Sequence, residues 1–284
     1  PGFGHESGKM FGARVHRGMG AARSAEETEV AETALEEMVG AFAAEFDGHP
    51  ALMGVLIAGP GNYNEMSQTV GACYGSPGAD VTRTDSVYIR SLAAEIGESP
   101  AILTAPYTDT DGRHYVAKFD YYYVEYSKRL ARIYLDAFRH TASILQVGSG
   151  VSCQAYVAQY VVDDLIAEGY ADRLWLKQNG WGNAVPSPTD MLFRRYRGTL
   201  RTMYEVGHYG LWCDVSNPDA ARYGCKSEDA ASHNSGAIAS ALDAGVSAVC
   251  FQSVFFARPD IFGLDRADMR ELGHELMENK LGHE

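Results

Sequence analysis

Ser143-Ile-Leu-Gln-Val147, a helical stretch from Gln154 to Glu168, and Leu174-Trp-Leu-Lys177 form the stretch on which the fold turns. The two outer runs are apolar and too short for stable helices. Gly148-Ser-Gly150 ends the first, and Gly169 closes the helical stretch between them. A strand, a helix and a second strand, with no hairpin turn joining the strands, make a βαβ unit. Its strands run parallel, and their continuous apolar character fits a sheet covered on both faces.

The same alternation extends outward in both directions. Upstream, Phe119 to Arg139 reads as a long helix with Tyr122, Tyr126, Leu130, Ile133, Tyr134 and Phe138 on or near one face. Met53-Gly-Val-Leu-Ile-Ala58 reads as a buried strand, stopped by Gly59-Pro60-Gly61. Ala25 to Phe46 has helical periodicity, with Ser24 at the N-cap position, Glu26 and Glu27 in the first turn, and Gly48-His49-Pro50 ending it. Phe11 to His16 reads as a short strand. Downstream, the pattern predicts a helix from Thr189 to about Val206 and a strand over Tyr209-Gly-Leu-Trp-Cys213 that ends at Asp214. A helix from Glu228 to Ala244, closed by Gly245, then leads to a strand over Val246 to Phe251 and a last helix from about Arg266 to Lys280.

Residues 61–116 are less regular. They hold a short helix from Ser86 to Ile96, a candidate strand from Ala101 to Thr104 and a loop from Tyr107 to Arg113. The expectation is one domain over residues 1–284, an α/β chain of the (β/α)8 TIM-barrel type. Residues 66–116 form a long insertion after the Glu65 strand, expected on the C-terminal face of the barrel. Six strands near residues 11, 54, 143, 174, 210 and 248, and a weaker one near 101, leave one or two to find. The expectation places them upstream of Pro1 unless the barrel is incomplete. The rival is an open doubly wound sheet, which usually carries a G-x-G-x-x-G turn between a strand and a helix, and none stands there.

The 284 residues carry 24 Lys and Arg against 37 Asp and Glu, a formal charge of -13. That balance argues against nucleic-acid and anionic-membrane partners, which need basic patches. No apolar run approaches the length of a membrane-spanning helix. The N-terminal Pro1-Gly-Phe-Gly-His-Glu6 has no charged-then-apolar leader pattern, so secreted and cytoplasmic locations both stay open. The five cysteines include no Cys-x-x-Cys, so no metal site is expected. Free, mostly buried thiols are the reading, with a Cys213–Cys225 pair as the alternative. With no P-loop or dinucleotide turn, no cofactor is expected.

In a barrel of this type, the working residues stand at the C-terminal ends of strands. Those ends here carry Arg14 and His16, then Tyr63, Asn64 and Glu65, then Gln146 and Ser149, then Gln178, Asn179 and Trp181, then Asp214, then Gln252 and Ser253. Amides, carboxylates and aromatic rings with few cations suit a neutral, hydroxyl-rich ligand such as a sugar. Trp181, Trp212, Tyr63 and Tyr107 offer ring faces for stacking.

The run His49-Pro-Ala-Leu-Met-Gly-Val-Leu-Ile-Ala-Gly-Pro-Gly-Asn-Tyr-Asn-Glu65 resembles the fourth-strand region of the clan A glycoside hydrolases, which are (β/α)8 barrels. The resemblance also takes in the Tyr-rich helix from Phe119 to Phe138 and, more loosely, the βα units down to Phe256. It implies Glu65 as general acid/base and Asn64 as a contact to the sugar 2-hydroxyl. It further implies a nucleophilic Glu at the end of the seventh strand. Retaining hydrolysis needs that second carboxylate at about 5–5.5 Å from the first. If Tyr209 to Cys213 is that strand, the nearest acid is Asp214, and Glu205 falls in the preceding helix. The open readings are Asp214 as nucleophile, Asp109 or Asp111 completing an inverting pair, or a site without activity.

The sequence-based site is therefore catalytic Glu65 and Asp214, with Asn64, Tyr63, Arg14, His16, Asn179 and Trp181 binding a carbohydrate. Each residue also has a plainer reading. Glu65 would cap a helix, Asp214 would shape a turn, His16 would be a core histidine, and Trp181 and Trp212 would pack the barrel. Asp109-Thr-Asp-Gly112 resembles a calcium loop faintly, but no Glu follows at the right spacing, and a solvated turn is the better reading. Tyr121-Tyr-Tyr123 reads as a packing face, and the glutamates between 26 and 37 as a solvated one. The alternative function is a catalytically degenerate barrel that binds glycans or assembles with a second copy or a partner chain that completes it. A lyase or aldolase using Lys177 is a third class.

Overall fold

A computed structural model describes residues 25–57, 82–147, 155–179, 193–206, 238–239, 241–251, 271 and 274. The elements are helix α1 (Ala25–Phe46), strand β1 (Gly54–Leu56), helices α2 (Val87–Ile96) and α3 (Pro100–Leu103), strands β2 (Tyr107–Thr108) and β3 (His114–Tyr115), helix α4 (Lys118–Ala137), strand β4 (Ala142–Val147), helix α5 (Ala155–Ala167), and strands β5 (Leu174–Asn179), β6 (Arg201–Val206) and β7 (Ala248–Phe251). This is a mixed α/β chain whose longer strands pair in parallel. It divides into two compact units, residues 1–146 with 153–174, and residues 147–152 with 175–284. No helix among the described residues is long and apolar enough to cross a membrane.

In the first unit, β1 runs parallel to β4, with Gly54 opposite Ala142 and Leu56 opposite Ile144. Gly54 suits this closeness: a Cβ there would stand 2.8 Å from Ile144 Cδ1, which would have to shift, and 3.1 Å from the Ala142 carbonyl oxygen. β4 has the expected two-sided burial, since Ser143, Ile144, Leu145 and Gln146 are all buried. β1 departs from it. Val55 and Ile57 are buried, but Leu56 is 37% and Met53 63% exposed, so this segment alternates instead of being covered on both sides.

α1 spans the residues its periodicity predicts, and it buries the stripe Leu35, Val39 and Ala43. Phe42 and Phe46 stay largely exposed and pack ring to ring, 4.7 Å between centroids. α4 buries more than one face. Phe119, Tyr123, Val124, Tyr126, Leu130, Ala131, Tyr134 and Leu135 are all inside, and α1 and α5 both pack against it. The seam between α4 and α5 is closed by Arg132 on Glu168 and by the Tyr170 hydroxyl donating to Asp136 at 2.7 Å. Asp47, beyond the end of α1, accepts from the backbone N–H groups of Arg139 (3.0 Å) and His140 (2.9 Å). The corner entering β1 is thereby tied to the corner entering β4.

Predicted glycines close α5 and the helical residues before β7. At the end of α5, Gly169 has φ +91°, its N–H reaches the Ile166 carbonyl and the Tyr170 N–H reaches Leu165, the paired bonds of a Schellman turn. Gly245 repeats this with Leu242 and Ala241 in the second unit, where the helical residues 241–243 precede it.

Three expectations need correction. Residues 101–104 are not a strand: Pro100–Leu103 is one helical turn, with Pro100 at its first position, where its fixed φ suits a helix and its missing N–H costs nothing. The loop from Tyr107 to Arg113 belongs to a small antiparallel hairpin, β2 against β3, with Tyr107 opposite Tyr115. The predicted helix up to Val206 stops short of it. Gly198 has φ +78°, and Arg201–Val206 is strand β6, paired in parallel with β5 on one side and β7 on the other.

Candidate functional site

Two groups of chemically capable residues stand among the described positions, one in each unit. In the second unit, the rungs of the β5–β6–β7 ladder are fixed by its register. Trp175 pairs with Arg201, Leu176 with Thr202, Lys177 with Met203 and Ala248, Gln178 with Tyr204 and Val249, and Asn179 with Glu205 and Cys250. Alternate rungs share a face. The rung faces carrying Leu176, Thr202 and Tyr204 are buried. In the other set, among the side chains described, Trp175, Lys177, Ala248 and Cys250 are half-buried, Arg201 is exposed and Met203 is buried, while Val249, on the rung of Tyr204, is half-buried too. Arg201 sits over the Trp175 ring at 5.6 Å. Asn179 and Glu205 share a rung at the C-terminal ends of β5 and β6.

The placement of Glu205 is the residue-level consequence of the β6 correction. Read as helix, residues 201–206 would leave Glu205 beside no strand end. As a strand, they set it one residue from the C-terminus of β6, at the edge where parallel β/α proteins carry their working groups. The signals for this were Gly198, which stops the preceding helix, and the β-prone Thr202, Tyr204 and Val206 after it.

Of the residues predicted from sequence, Asn179 is the last residue of β5. Glu65, Asn64, Tyr63, Arg14, His16, Trp181 and Asp214 lie outside the described residues, as do Trp212, Cys213 and Cys225. Lys177 is in β5, two residues before Asn179.

In the first unit, an ionic cluster holds the β2–β3 hairpin against α4 and α5. Asp109 builds the turn. Its Oδ1 accepts from the backbone N–H groups of Asp111 (3.0 Å) and Arg113 (2.8 Å), and its Oδ2 accepts from the Tyr115 hydroxyl at 3.0 Å. Gly112 supplies the positive φ of +78°. Both carboxylate oxygens of Asp109 are thus spent on the turn, in keeping with the turn reading of this segment. Arg113 then reaches the Asp164 carboxylate on α5 and lies over the Tyr160 ring at 5.2 Å. Lys128, buried on α4, donates to the other Asp164 oxygen at 2.7 Å and pairs with Glu125 at 2.6 Å.

The electrostatics follow from these contacts. Burial opposes ionisation of Asp164, yet the bonds from Arg113 and Lys128 outweigh it and hold the carboxyl below the usual range. Burial also opposes the charge on Lys128, but Asp164 and Glu125 raise its pKa on balance. Burial, and then the bond to Asp109, push the Tyr115 phenol up. These contacts favour the charged forms of Asp164 and Lys128 and the neutral form of Tyr115, and they tie the hairpin to α4 and α5. Beside it, Lys118 and the Tyr122 hydroxyl both donate to Glu98, at 2.8 and 2.9 Å. Among the described residues, no group of three or more His, Cys, Asp or Glu side chains is arranged to hold a metal ion.

No protein-family model, no curated protein and no solved structure matches the chain.

Proposed function

We propose that this chain is a carbohydrate-active hydrolase on a (β/α)8-type barrel, cleaving a glycosidic bond by retaining catalysis. Glu65 is its acid/base and Glu205 its nucleophile. The observation that carries this reading is the register of Glu205, at the C-terminal end of a parallel strand and on the rung of Asn179. It supplies the strand-end Glu that the resemblance to clan A glycoside hydrolases asks for. Asp214 becomes the second candidate for that role. In this reading the amides of Asn64 and Asn179 serve sugar hydroxyls, Tyr63 and Trp181 serve as stacking rings, and Arg14 and His16 are further polar contacts to the carbohydrate.

In such a mechanism, Glu205 attacks the anomeric carbon while protonated Glu65 donates to the leaving oxygen. Deprotonated Glu65 then activates the water that releases the glycosyl-enzyme ester. The test is a panel of aryl glycosides with the wild type, Glu65→Ala, Glu205→Ala and Asp214→Asn. Glu205→Ala should lose at least about 1000-fold in kcat, and added azide should restore turnover by forming a glycosyl azide of inverted configuration. Full turnover in Glu205→Ala would sink the nucleophile assignment. Loss in Asp214→Asn alone, with azide rescue there, would transfer the role to Asp214.

A further inference from the structure

The four arginines of Arg194-Arg-Tyr-Arg-Gly-Thr-Leu-Arg201 are all exposed, in a chain whose net charge is -13. No Asp or Glu stands between Asp190 and Glu205. The fold draws three of these cations to the N-terminal edge of the β5–β6–β7 ladder. Arg201 opens β6 and lies over the Trp175 ring on β5 at 5.6 Å. Arg197 lies against Gly245, where a Cβ would stand 2.7 Å from its Nε. Arg194 pairs with Asp243, two residues before that glycine. The Ser247 N–H reaches the Thr202 carbonyl oxygen at 2.8 Å, so the turn that carries Asp243 and Gly245 lies beside the start of β6. The bond from Arg194, and then the fields of Arg194 and Arg197, hold the Asp243 carboxyl below the usual range. Arg194 and Arg195 stand in a last helical turn, where cations complement the helix dipole. Arg197 and Arg201 lie beyond that turn, and the dipole does not account for them.

Carboxylates fit this patch best. Guanidinium N–H groups form a fork that matches a carboxylate, and the patch already receives one, from Asp243. Tyr196 is buried and Trp175 lies under Arg201, so a ligand meets guanidiniums and not the ring faces on which nucleobases stack. At physiological ionic strength charges are screened beyond about 8 Å, so a short acidic segment meets the arginines without the net charge of the chain. A long polyanion or an anionic bilayer reaches the acidic remainder as well. We propose that the patch docks an acidic segment of a partner protein, with Arg194, Arg197 and Arg201 taking its carboxylates and Asp243 giving up Arg194. The Arg194–Asp243 pair is exposed on both sides, 51% and 73%, and a pair of that kind yields readily to a competitor. Arg201 is four residues from Glu205 along β6, about 13 Å, so docking here does not rest on the hydrolase reading.

The test is the fluorescence anisotropy of a labelled decaglutamate peptide titrated with wild type, Arg197→Gln/Arg201→Gln and Asp243→Asn. The double variant should bind about 10-fold more weakly, the scale of two exposed ion pairs. Asp243→Asn removes the internal competitor and should bind about 3-fold more tightly. Wild-type affinity should fall as salt rises. If the double variant lacks the native circular dichroism spectrum, Asp243→Asn decides alone. An affinity that Asp243→Asn leaves unchanged or lowers overturns the proposal, as does equal binding of a decaglutamine peptide. Tighter binding of a ten-nucleotide oligo-dT or of phosphatidylserine vesicles than of decaglutamate, lost in the double variant, assigns the patch to a nucleic acid or a membrane and overturns it too.

Discussion

Lys128 shows how one residue joins two helices and a hairpin. Its ammonium lies between Glu125 and Asp164, and Asp164 also takes Arg113 from the hairpin. Replacing Lys128 with Met keeps most of the volume but removes the cation. Asp164 keeps Arg113, so the cost should fall below that of stripping a buried charge bare, about 2–3 kcal/mol in urea denaturation at neutral pH. A loss under about 0.5 kcal/mol would show the cluster to be a solvated surface pair. Asp109 makes the complementary point. Its turn-forming role was legible from the Asp-Thr-Asp-Gly pattern alone, because side-chain bonding to the next backbone N–H groups is local chemistry. Glu205 was legible only in part. Gly198 and the β-prone Thr202, Tyr204 and Val206 are local signals for a strand, but the rung it occupies comes from pairing with Asn179 and Cys250.

At the scale of elements, α1, α2, α4 and α5 fall within a few residues of their predicted spans, since each repeats its apolar period over two turns or more. The segments misread are short. Pro100–Leu103 is four residues long, and an apolar run of that length reads equally as a strand or a single helical turn. Arg201–Val206 was absorbed into the preceding helix although Gly198 interrupts it. The β1–β4 pairing depends on one missing side chain. Gly54→Ala should destabilise by about 1–3 kcal/mol, because the new methyl group meets both Ile144 Cδ1 and the Ala142 carbonyl. Shortening the partner as well, in Gly54→Ala/Ile144→Val, should recover part of that loss, and additive effects in the double mutant would refute direct contact as the cause.

At the scale of the whole molecule, the paired carboxylates set the acid limit of stability. Asp164, Asp47 and Glu98 are all held below their ordinary pKa in the fold. Burial opposes this at Asp164 and Asp47, where hydrogen-bond donors prevail, and the Lys118 bond leads at Glu98. A depressed folded pKa contributes stability that is present above the unfolded value and lost as pH falls through the folded one. The urea midpoint should therefore fall steadily below about pH 4, and Asp164→Asn should flatten that fall; an equal slope in both proteins would refute the linkage. Lys118 and Lys128 are shifted the other way, so their share is complete below about pH 10 and is lost as pH rises through their raised values. By itself the sequence determined the α/β class, the parallel strand–helix–strand units, the long helices and the glycines that end them. Each of these is written in periodicity, capping and turn chemistry within a few residues. Only the tertiary structure decided that residues 201–206 form a strand, and so that Glu205 stands at a strand end on the rung of Asn179. A six-residue segment has too weak a local preference to choose, and the choice is made by backbone hydrogen bonds to strands on both sides.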